Sequence, residues 1–269
     1  MRFSHEGIQF HITHRSGTRP PFVGLHGMGG DRQQIVGLFG EIDDLDLYAI
    51  DQRGHGDTEA IVDYADANFH TLSEDVLAFL NHRQFDHCHL GGISMGAGVA
   101  LACAVKEPNR FDRLVLVRPA WLADSVPKSL EIYLNIADHL DRYGAEEGEI
   151  QFQFTPDFGA AACLNMNAAQ SLLGQFTRPQ AADNADLLRG LVRSAPLRSL
   201  DELQRITAPV LLVGSDHDPT HPWAYCEVLK AHLPNAKLVQ VTSAYKNRVN
   251  HNREIRAVVR DFLGGRKDE

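Results

Sequence analysis

The chain has 269 residues, and its 43% hydrophobic and 23% charged residues are typical of a globular protein. These values exclude a disulfide-stapled mini-protein and a disordered or fibrous chain. Acidic residues outnumber basic ones by 35 to 26, which gives a formal charge of −9, and the sequence contains no local basic patch. Because such a chain repels phosphate backbones, nucleic acid is not an expected partner.

Cysteine spacing and hydropathy indicate the expected compartment. The four cysteines lie far apart and form no Cys-x-x-Cys pair, which argues against a zinc ribbon and a disulfide framework. The N-terminal segment has no apolar core of signal-peptide length, and no apolar run reaches the roughly 18 residues that a membrane span needs. We therefore expect reduced thiols, no membrane partner and a cytoplasmic location. The oligomeric state is left open, with a homodimer among the alternatives.

Short β-branched or leucine-rich runs alternate with amphipathic stretches along the chain. This alternation is typical of parallel strands joined by crossover helices. The predicted strands are residues 8–14, 21–25, 47–50, 88–93, 114–117, 210–213 and 238–241. Five helices are predicted between and after these strands. The first follows Asp31 as its N-cap, with Gln34 three residues on, and the second begins at a capping box formed by Thr71 and Glu74. The third begins at about Met95, and the last two span 223–233 and 253–263.

Residues 122–198 interrupt this alternation because they contain no β-branched run. They predict helices around 130–137, 160–176 and 182–192, after which Ser199 and Glu202 form a second capping box. We expect an α/β core of residues 1–121 and 199–269, with 122–198 inserted as a helical cap over the carboxyl ends of the strands. The alternative is helical bulk without contact to a site.

The segment around Ser94 carries the clearest chemical signal. It reads Gly-x-Ser-x-Gly between an apolar strand and an alanine-rich helix. A serine hydroxyl becomes a useful nucleophile when a sharp strand-to-helix turn projects it toward a base, and glycines at positions 92 and 96 allow that turn. Helix N–H groups beside it favour a developing oxyanion. The alternative is a glycine-rich turn in which Ser94 only caps the helix.

The turn at Ser94, called the elbow below, and three further stretches together resemble the α/β-hydrolase superfamily over nearly the whole chain. His-Gly-Met-Gly-Gly at 26–30 looks like the family's oxyanion loop, and 51–58 is similar to its Asp-x-Arg-Gly-His-Gly turn. The loop 214–222 resembles the one that bears the catalytic acid. The resemblance implies a mostly parallel sheet with helices on both faces and a helical cap. It also implies oxyanion donation by the backbone N–H groups of Met28 and Met95.

The resemblance places the acid in the 214–222 loop, at Asp216 or Asp218. Asp218 is favoured because Pro222 fixes the following turn, although the loop departs by one residue from the family's spacing. In the family's chain order the base follows the last strand, and His251 is the only histidine beyond residue 241. His251 is therefore the expected base. The usual Gly-His pair is missing there, and the earlier histidines, including His221, are disfavoured.

The Asp and His residues of the 214–222 loop also leave a metal site as a less favoured alternative, but no metal or cofactor is expected. The function that this set implies is hydrolysis of a carboxylic ester or lactone of a small-to-medium apolar substrate through an acyl-enzyme. The alternatives are C–C bond hydrolysis of a dioxo acid, thioester cleavage, perhydrolysis and a ligand sensor with little turnover. Predicted pocket residues are Arg118, Trp121, Tyr133 and Trp223.

Overall fold

The computed structural model of the chain describes residues 1–58, 64–179 and 181–264. Within them, eight strands form one sheet in the order β1-β2-β4-β3-β5-β6-β7-β8. The strands are β1 (Arg2–His5), β2 (Ile8–Arg15), β3 (Phe22–Leu25), β4 (Leu47–Ile50), β5 (Cys88–Ile93), β6 (Phe111–Val117), β7 (Val210–Gly214) and β8 (Ala236–Gln240). All seven predicted strands are present, and β1 is an addition that the sequence did not predict.

The sheet is mostly parallel. β1 pairs with β2, and β2 with β4, in antiparallel fashion, whereas every pair from β4 to β8 is parallel. In such a sheet, strand order reverses where β3 lies between β4 and β5, and the carboxyl ends of the strands meet at one edge. The loops that follow β3, β5, β6 and β7 therefore lie side by side.

Apolar side chains alternate between the two faces of the sheet. On β6, for example, Leu114 and Leu116 belong to one apolar cluster and Val115 and Val117 to the other. This period of two is what a strand buried on both faces requires. Helices cover both faces, as expected for an α/β fold.

The core helices are α1 (Arg32–Phe39), α2 (Phe69–His82), α3 (Met95–Lys106), α8 (Trp223–His232) and α9 (Arg248–Gly264). Asp31 caps α1 by accepting from the Gln33 N–H, as predicted. Two predicted capping boxes are wrong. Asn68 caps α2 and accepts from the Thr71 N–H, and Ser199 precedes a short 3₁₀ helix without a side-chain cap.

Four helices lie between β6 and β7 in the chain, where the sequence predicts helices without strands. They are α4 (Ile132–Phe152), α5 (Pro156–Leu164), α6 (Met166–Thr177) and α7 (Ala185–Arg193). Their apolar faces form a cluster of their own around Phe152, Leu172 and Phe176. The predicted single helix at 160–176 is two helices, because Asn165 leaves the helical conformation and caps α6. Among the described helices, none is long and apolar enough to cross a bilayer.

Candidate active site

Ser94 stands at a sharp bend between β5 and α3. Its backbone has φ 53° and ψ −110°, a left-handed conformation that strains a residue with a side chain. A Cβ on Gly92 would lie 2.1 Å from the carbonyl carbon of Gly96, and one on Gly96 would lie 2.2 Å from the Leu25 oxygen. Only glycine fits at these two positions, so the sequence pattern allows the backbones to approach closely enough to form the bend.

The imidazole that meets Ser94 belongs to His221. The Nε2 atom of His221 lies 2.9 Å from Ser94 Oγ, and its Nδ1 lies 2.9 Å from Oδ1 of Asp218. Because a carboxylate only accepts hydrogen bonds, Nδ1 carries the proton and donates it to Asp218. Nε2 is then left to accept the Ser94 hydroxyl proton. Serine, imidazole and carboxylate thus form one continuous hydrogen-bonded chain.

Asp218 organises its own loop as well as the imidazole. Its Oδ1 also accepts from the backbone N–H groups of Thr220 and His221, at 3.2 and 3.1 Å. Its Oδ2 faces Arg118, whose Nη1 lies 3.4 Å away. Pro222 follows at the start of α8 and favours an extended backbone at His221. Acid and base are therefore held three residues apart by a single turn.

The electrostatics of this turn favour an ionised acid and a neutral base. Burial alone would raise the pKa of Asp218, but the charge and hydrogen bonds of His221, together with the Arg118 guanidinium, lower it to about 2. Burial is also the largest influence on His221 and lowers its pKa; Asp218 opposes this shift and Arg118 reinforces it. At neutral pH the His221 ring is neutral and able to accept a proton from Ser94.

His251 does not occupy the position that the sequence predicted for it. It lies in the first turn of α9, where its Nδ1 donates to the Thr242 carbonyl oxygen at 2.7 Å. Its side chain lines the same cavity as Ser94, yet within the described chain it forms no hydrogen bond to Ser94 or Asp218. The chain-order argument disfavoured His221 because it precedes β8, whereas the structure brings the ring of His221, and not that of His251, to Ser94.

The loop after β3 lies beside Ser94, as the adjacency of β3 and β5 requires. The Gly27 N–H donates to the Gln34 side chain at 2.7 Å, so Gln34 fixes this loop. Met95 is the first residue of α3, where a helix N–H has no intrahelical acceptor. Within the described residues, neither the Met28 nor the Met95 N–H has a recorded acceptor in the protein. Both remain available for a ligand oxygen.

Buried side chains hold the loop after β3 in place through hydrogen bonds. His26 donates from Nδ1 to the Gly27 oxygen at 2.8 Å and accepts at Nε2 from the Gln52 N–H at 3.0 Å. Asp51 accepts from the N–H groups of Arg32 and Asp57, at 2.6 and 2.9 Å. The 26–30 and 51–58 stretches are thus tied to each other, which gives these histidine and aspartate residues a structural role.

A cavity of about 580 Å³ opens beside Ser94 and His221. Of the predicted pocket residues, Arg118 and Tyr133 line it. Trp121 does not, because it is fully buried with its ring against Phe69, and Trp223 instead packs over Gly214 at the end of β7. Most lining residues are polar, so the lining does not match the expected apolar acyl pocket.

Several large apolar side chains of the inserted helices do not line this cavity. Phe152, Leu172 and Phe176 pack among the helices α4–α7, and Phe154 is 81% exposed. Polar groups from the same helices reach the cavity in their place. Gln175 of α6 is one of them, and its Nε2 lies 3.4 Å from the Met28 carbonyl oxygen.

The other predicted acid, Asp216, lies outside this cluster. Asp216 and His217 are exposed, and neither lines the cavity. Of the 214–222 loop's candidate metal ligands, Asp218 and His221 hydrogen bond to each other, and His221 also contacts Ser94.

Comparisons with known proteins identify the fold family of the chain. The family model described as alpha/beta hydrolase fold matches residues 20–246. Putative carbamate hydrolase RutD of Pseudomonas savastanoi pv. phaseolicola is 29% identical over 241 residues, which cover 86% of this chain and 88% of that protein. Abhydrolase domain-containing protein C22H12.03 of Schizosaccharomyces pombe is 30% identical over 126 residues, 45% of either chain, so the chain spans about half the length of that relative.

The fold is also shared with solved structures. The enol-lactonase from Burkholderia xenovorans LB400 superposes with a TM-score of 0.78 at 20% identity, covering 98% of this chain and 100% of that one. At this identity the likeness concerns the fold alone. The family match spans the oxyanion-type loop, the elbow and the Asp218 turn, and the chain therefore belongs to the alpha/beta hydrolase fold family.

Proposed function

We propose that this protein is a serine hydrolase that cleaves a carboxylic ester or lactone through an acyl-enzyme. The observation that carries the proposal is the chain of two 2.9 Å contacts linking Ser94 Oγ, the His221 ring and Asp218. In this assignment Ser94 is the nucleophile, His221 the general base and Asp218 the acid that orients it. His251, the base expected from the sequence, has no such role.

The reaction begins with attack of Ser94 Oγ on the substrate carbonyl carbon while His221 Nε2 takes the hydroxyl proton. The resulting imidazolium is stabilised by the ionised Asp218. When the tetrahedral intermediate collapses, the same proton passes to the leaving alcohol oxygen, and the acyl group stays on Ser94. Water, deprotonated by His221, then attacks the acyl-enzyme and releases the acid, which restores the Ser94 hydroxyl.

The negative charge that develops on the carbonyl oxygen needs donors that are already in place. The N–H groups of Met28 and Met95 are assigned this task because Met95 follows Ser94 in the chain, Met28 lines the same cavity as Ser94, and both N–H groups lack a protein acceptor in the described chain. Donors of this kind each contribute about 3 kcal/mol of transition-state stabilisation. Substitution of either methionine side chain leaves its backbone N–H, so these donors are insensitive to residue type.

Residues 122–198 are assigned the role of a cap in this proposal. Leu130 and Tyr133 at the start of this segment, and Gln175 on α6, line the cavity together with Ser94. The cavity volume of about 580 Å³ lies within the range of small-molecule sites, about 300–1,000 Å³. A small-molecule ester or lactone is the substrate class that fits this volume.

The decisive experiment is covalent labelling of the whole protein. A fluorophosphonate probe should add one probe mass to the protein, and peptide mapping should place it on Ser94. The variant Ser94→Ala should stay unlabelled, while Ser199→Ala, which removes an exposed hydroxyl elsewhere, should label like the unchanged protein. Absence of labelling in the unchanged protein, or persistent labelling of Ser94→Ala, would overturn the proposal.

A further inference from the structure

The charged groups around the cavity do not reflect the composition of the chain. Acidic residues outnumber basic ones in the sequence by 35 to 26, yet the described residues that line the cavity include no Asp or Glu. Two arginines, Arg118 and Arg248, line it. Burial lowers the pKa of the lining histidines His221 and His251, so at neutral pH the two guanidinium groups supply the charge.

The two arginines differ in whether an acidic side chain balances their positive charge. Arg118 is paired with Asp218 at 3.4 Å, so its charge is already balanced by the acid of the proposed triad. Arg248 is exposed, lines the cavity and forms no ion pair with any described residue. It is also the first residue of α9, where the helix dipole opposes a cation. Helix stability therefore does not explain an arginine at this position.

We propose that the cavity takes a substrate that carries a carboxylate in addition to the ester or lactone group, and that Arg248 binds this carboxylate. The inference rests on the proposed function for the reacting carbonyl. A guanidinium group binds a carboxylate through two parallel N–H donors, and such charge-assisted hydrogen bonds are about twice as strong as neutral ones. The neutral polar side chains of Asn167 and Asn252, which also line the cavity, suit a polar substrate better than an acyl chain.

Matched substrate pairs test this inference. The first pair, 4-nitrophenyl hydrogen glutarate and its methyl ester, places the charge on the acyl side. The second pair, 4-acetoxybenzoate and its methyl ester, places it on the alcohol side. We expect the unchanged protein to prefer the charged member of at least one pair by about tenfold or more in kcat/KM, the magnitude of one charge-assisted hydrogen bond. A preference below threefold in both pairs overturns the inference.

Variants of α9 assign the preference to one side chain. Arg248→Gln should lose the preference, and Arg248→Lys, which keeps the charge, should keep part of it. Arg253→Gln removes the same charge from an exposed position on the same helix outside the cavity, and it should keep the full preference. Equal losses in Arg248→Gln and Arg253→Gln would indicate a general effect of net charge and would contradict the assignment.

An equilibrium measurement separates this inference from the proposed hydrolase activity. Calorimetric titration of Ser94→Ala with glutarate and with the neutral glutaramide requires no turnover. Glutarate should bind more tightly than glutaramide, and adding Arg248→Gln should weaken glutarate binding about tenfold or more. If no ester is cleaved and no probe reacts, this binding still decides the inference. If esters are cleaved and glutarate does not bind in preference, only the inference fails.

Discussion

The most direct test of the proposed site compares the same substitution at two histidines, His221→Gln and His251→Gln. Glutamine is close in size to histidine but cannot accept a proton at neutral pH. His221 Nε2 lies 2.9 Å from Ser94 Oγ, whereas His251 donates to the Thr242 carbonyl. Loss of a triad base lowers kcat by about 10⁴ to 10⁶, or about 5.5 to 8 kcal/mol at 1.36 kcal/mol per tenfold.

We therefore expect His221→Gln to reduce the steady-state hydrolysis of 4-nitrophenyl acetate by at least about 10⁴-fold, with loss of the burst of nitrophenolate. His251→Gln should reduce it by less than about tenfold, because a single hydrogen bond contributes about 1 kcal/mol. Thermal unfolding of both variants controls for loss of structure. An equal loss at both positions, or a His221→Gln variant that keeps more than a hundredth of the activity, would refute the assignment.

Three further substitutions test separate parts of the structure. In the unchanged protein, activity should fall as pH decreases through a His221 pKa below 6.5; Arg118→Gln removes a charge that lowers this pKa, so its acid limb should move to higher pH in a pH–rate profile. Asp218→Asn should lower kcat by about 10⁴-fold, whereas Asp216→Asn, at an exposed carboxylate, should change it less than twofold in the same ester assay; the reverse order would identify Asp216 as the acid. Gly96→Ala should lower the free energy of unfolding by about 2–5 kcal/mol because its Cβ would lie 2.2 Å from the Leu25 oxygen. The control Gly174→Ala, with nothing within 4 Å, should raise it by about 0.5–1 kcal/mol in denaturant titrations.

The central sheet was predictable from the sequence because its inner strands are short and buried on both faces. The runs at Leu47–Ile50 and Cys88–Ile93 are mostly apolar, buried along their whole length and followed by turn residues, and their predicted bounds agree with the structure to the residue. β1 was missed because Arg2–His5 is an edge strand with mixed burial, and four such residues carry no clear period. Edge strands owe their structure to pairing, which a local pattern does not reveal.

The site was predictable to the extent that local backbone geometry determined it. Ser94 follows from the glycines at 92 and 96, which the bend requires. His221 was missed because a chain-order rule outweighed a local signal. The local signal is the spacing of Asp218 and His221. In a turn of this kind the Asp carboxylate accepts from the N–H groups of the second and third residues after it, here Thr220 and His221. The same carboxylate is then close enough to hydrogen bond to the side chain of that third residue.

The pocket residues were the least predictable part of the site. Trp121 and Trp223 follow strands whose carboxyl ends face the cavity, yet one is buried against Phe69 and the other covers Gly214. Which way a large ring turns depends on the space left by distant parts of the chain. The lining from α4–α7 and α9 likewise depends on how these helices pack, and a sequence pattern does not encode that packing directly.

The placement of Asp218 and His221 within one short turn reduces the number of parts that must be kept in register. Where the members of a triad come from three separate loops, a displacement of any one loop disrupts the proton path. Here the carboxylate and the imidazole move together, so alignment depends on one separation, that between the elbow and the turn. In the proposed assignment, the segment from β8 onward takes no part in proton transfer and is free to diverge toward recognising other molecules. A designer could transfer the five residues from Asp218 to Pro222 as a single unit.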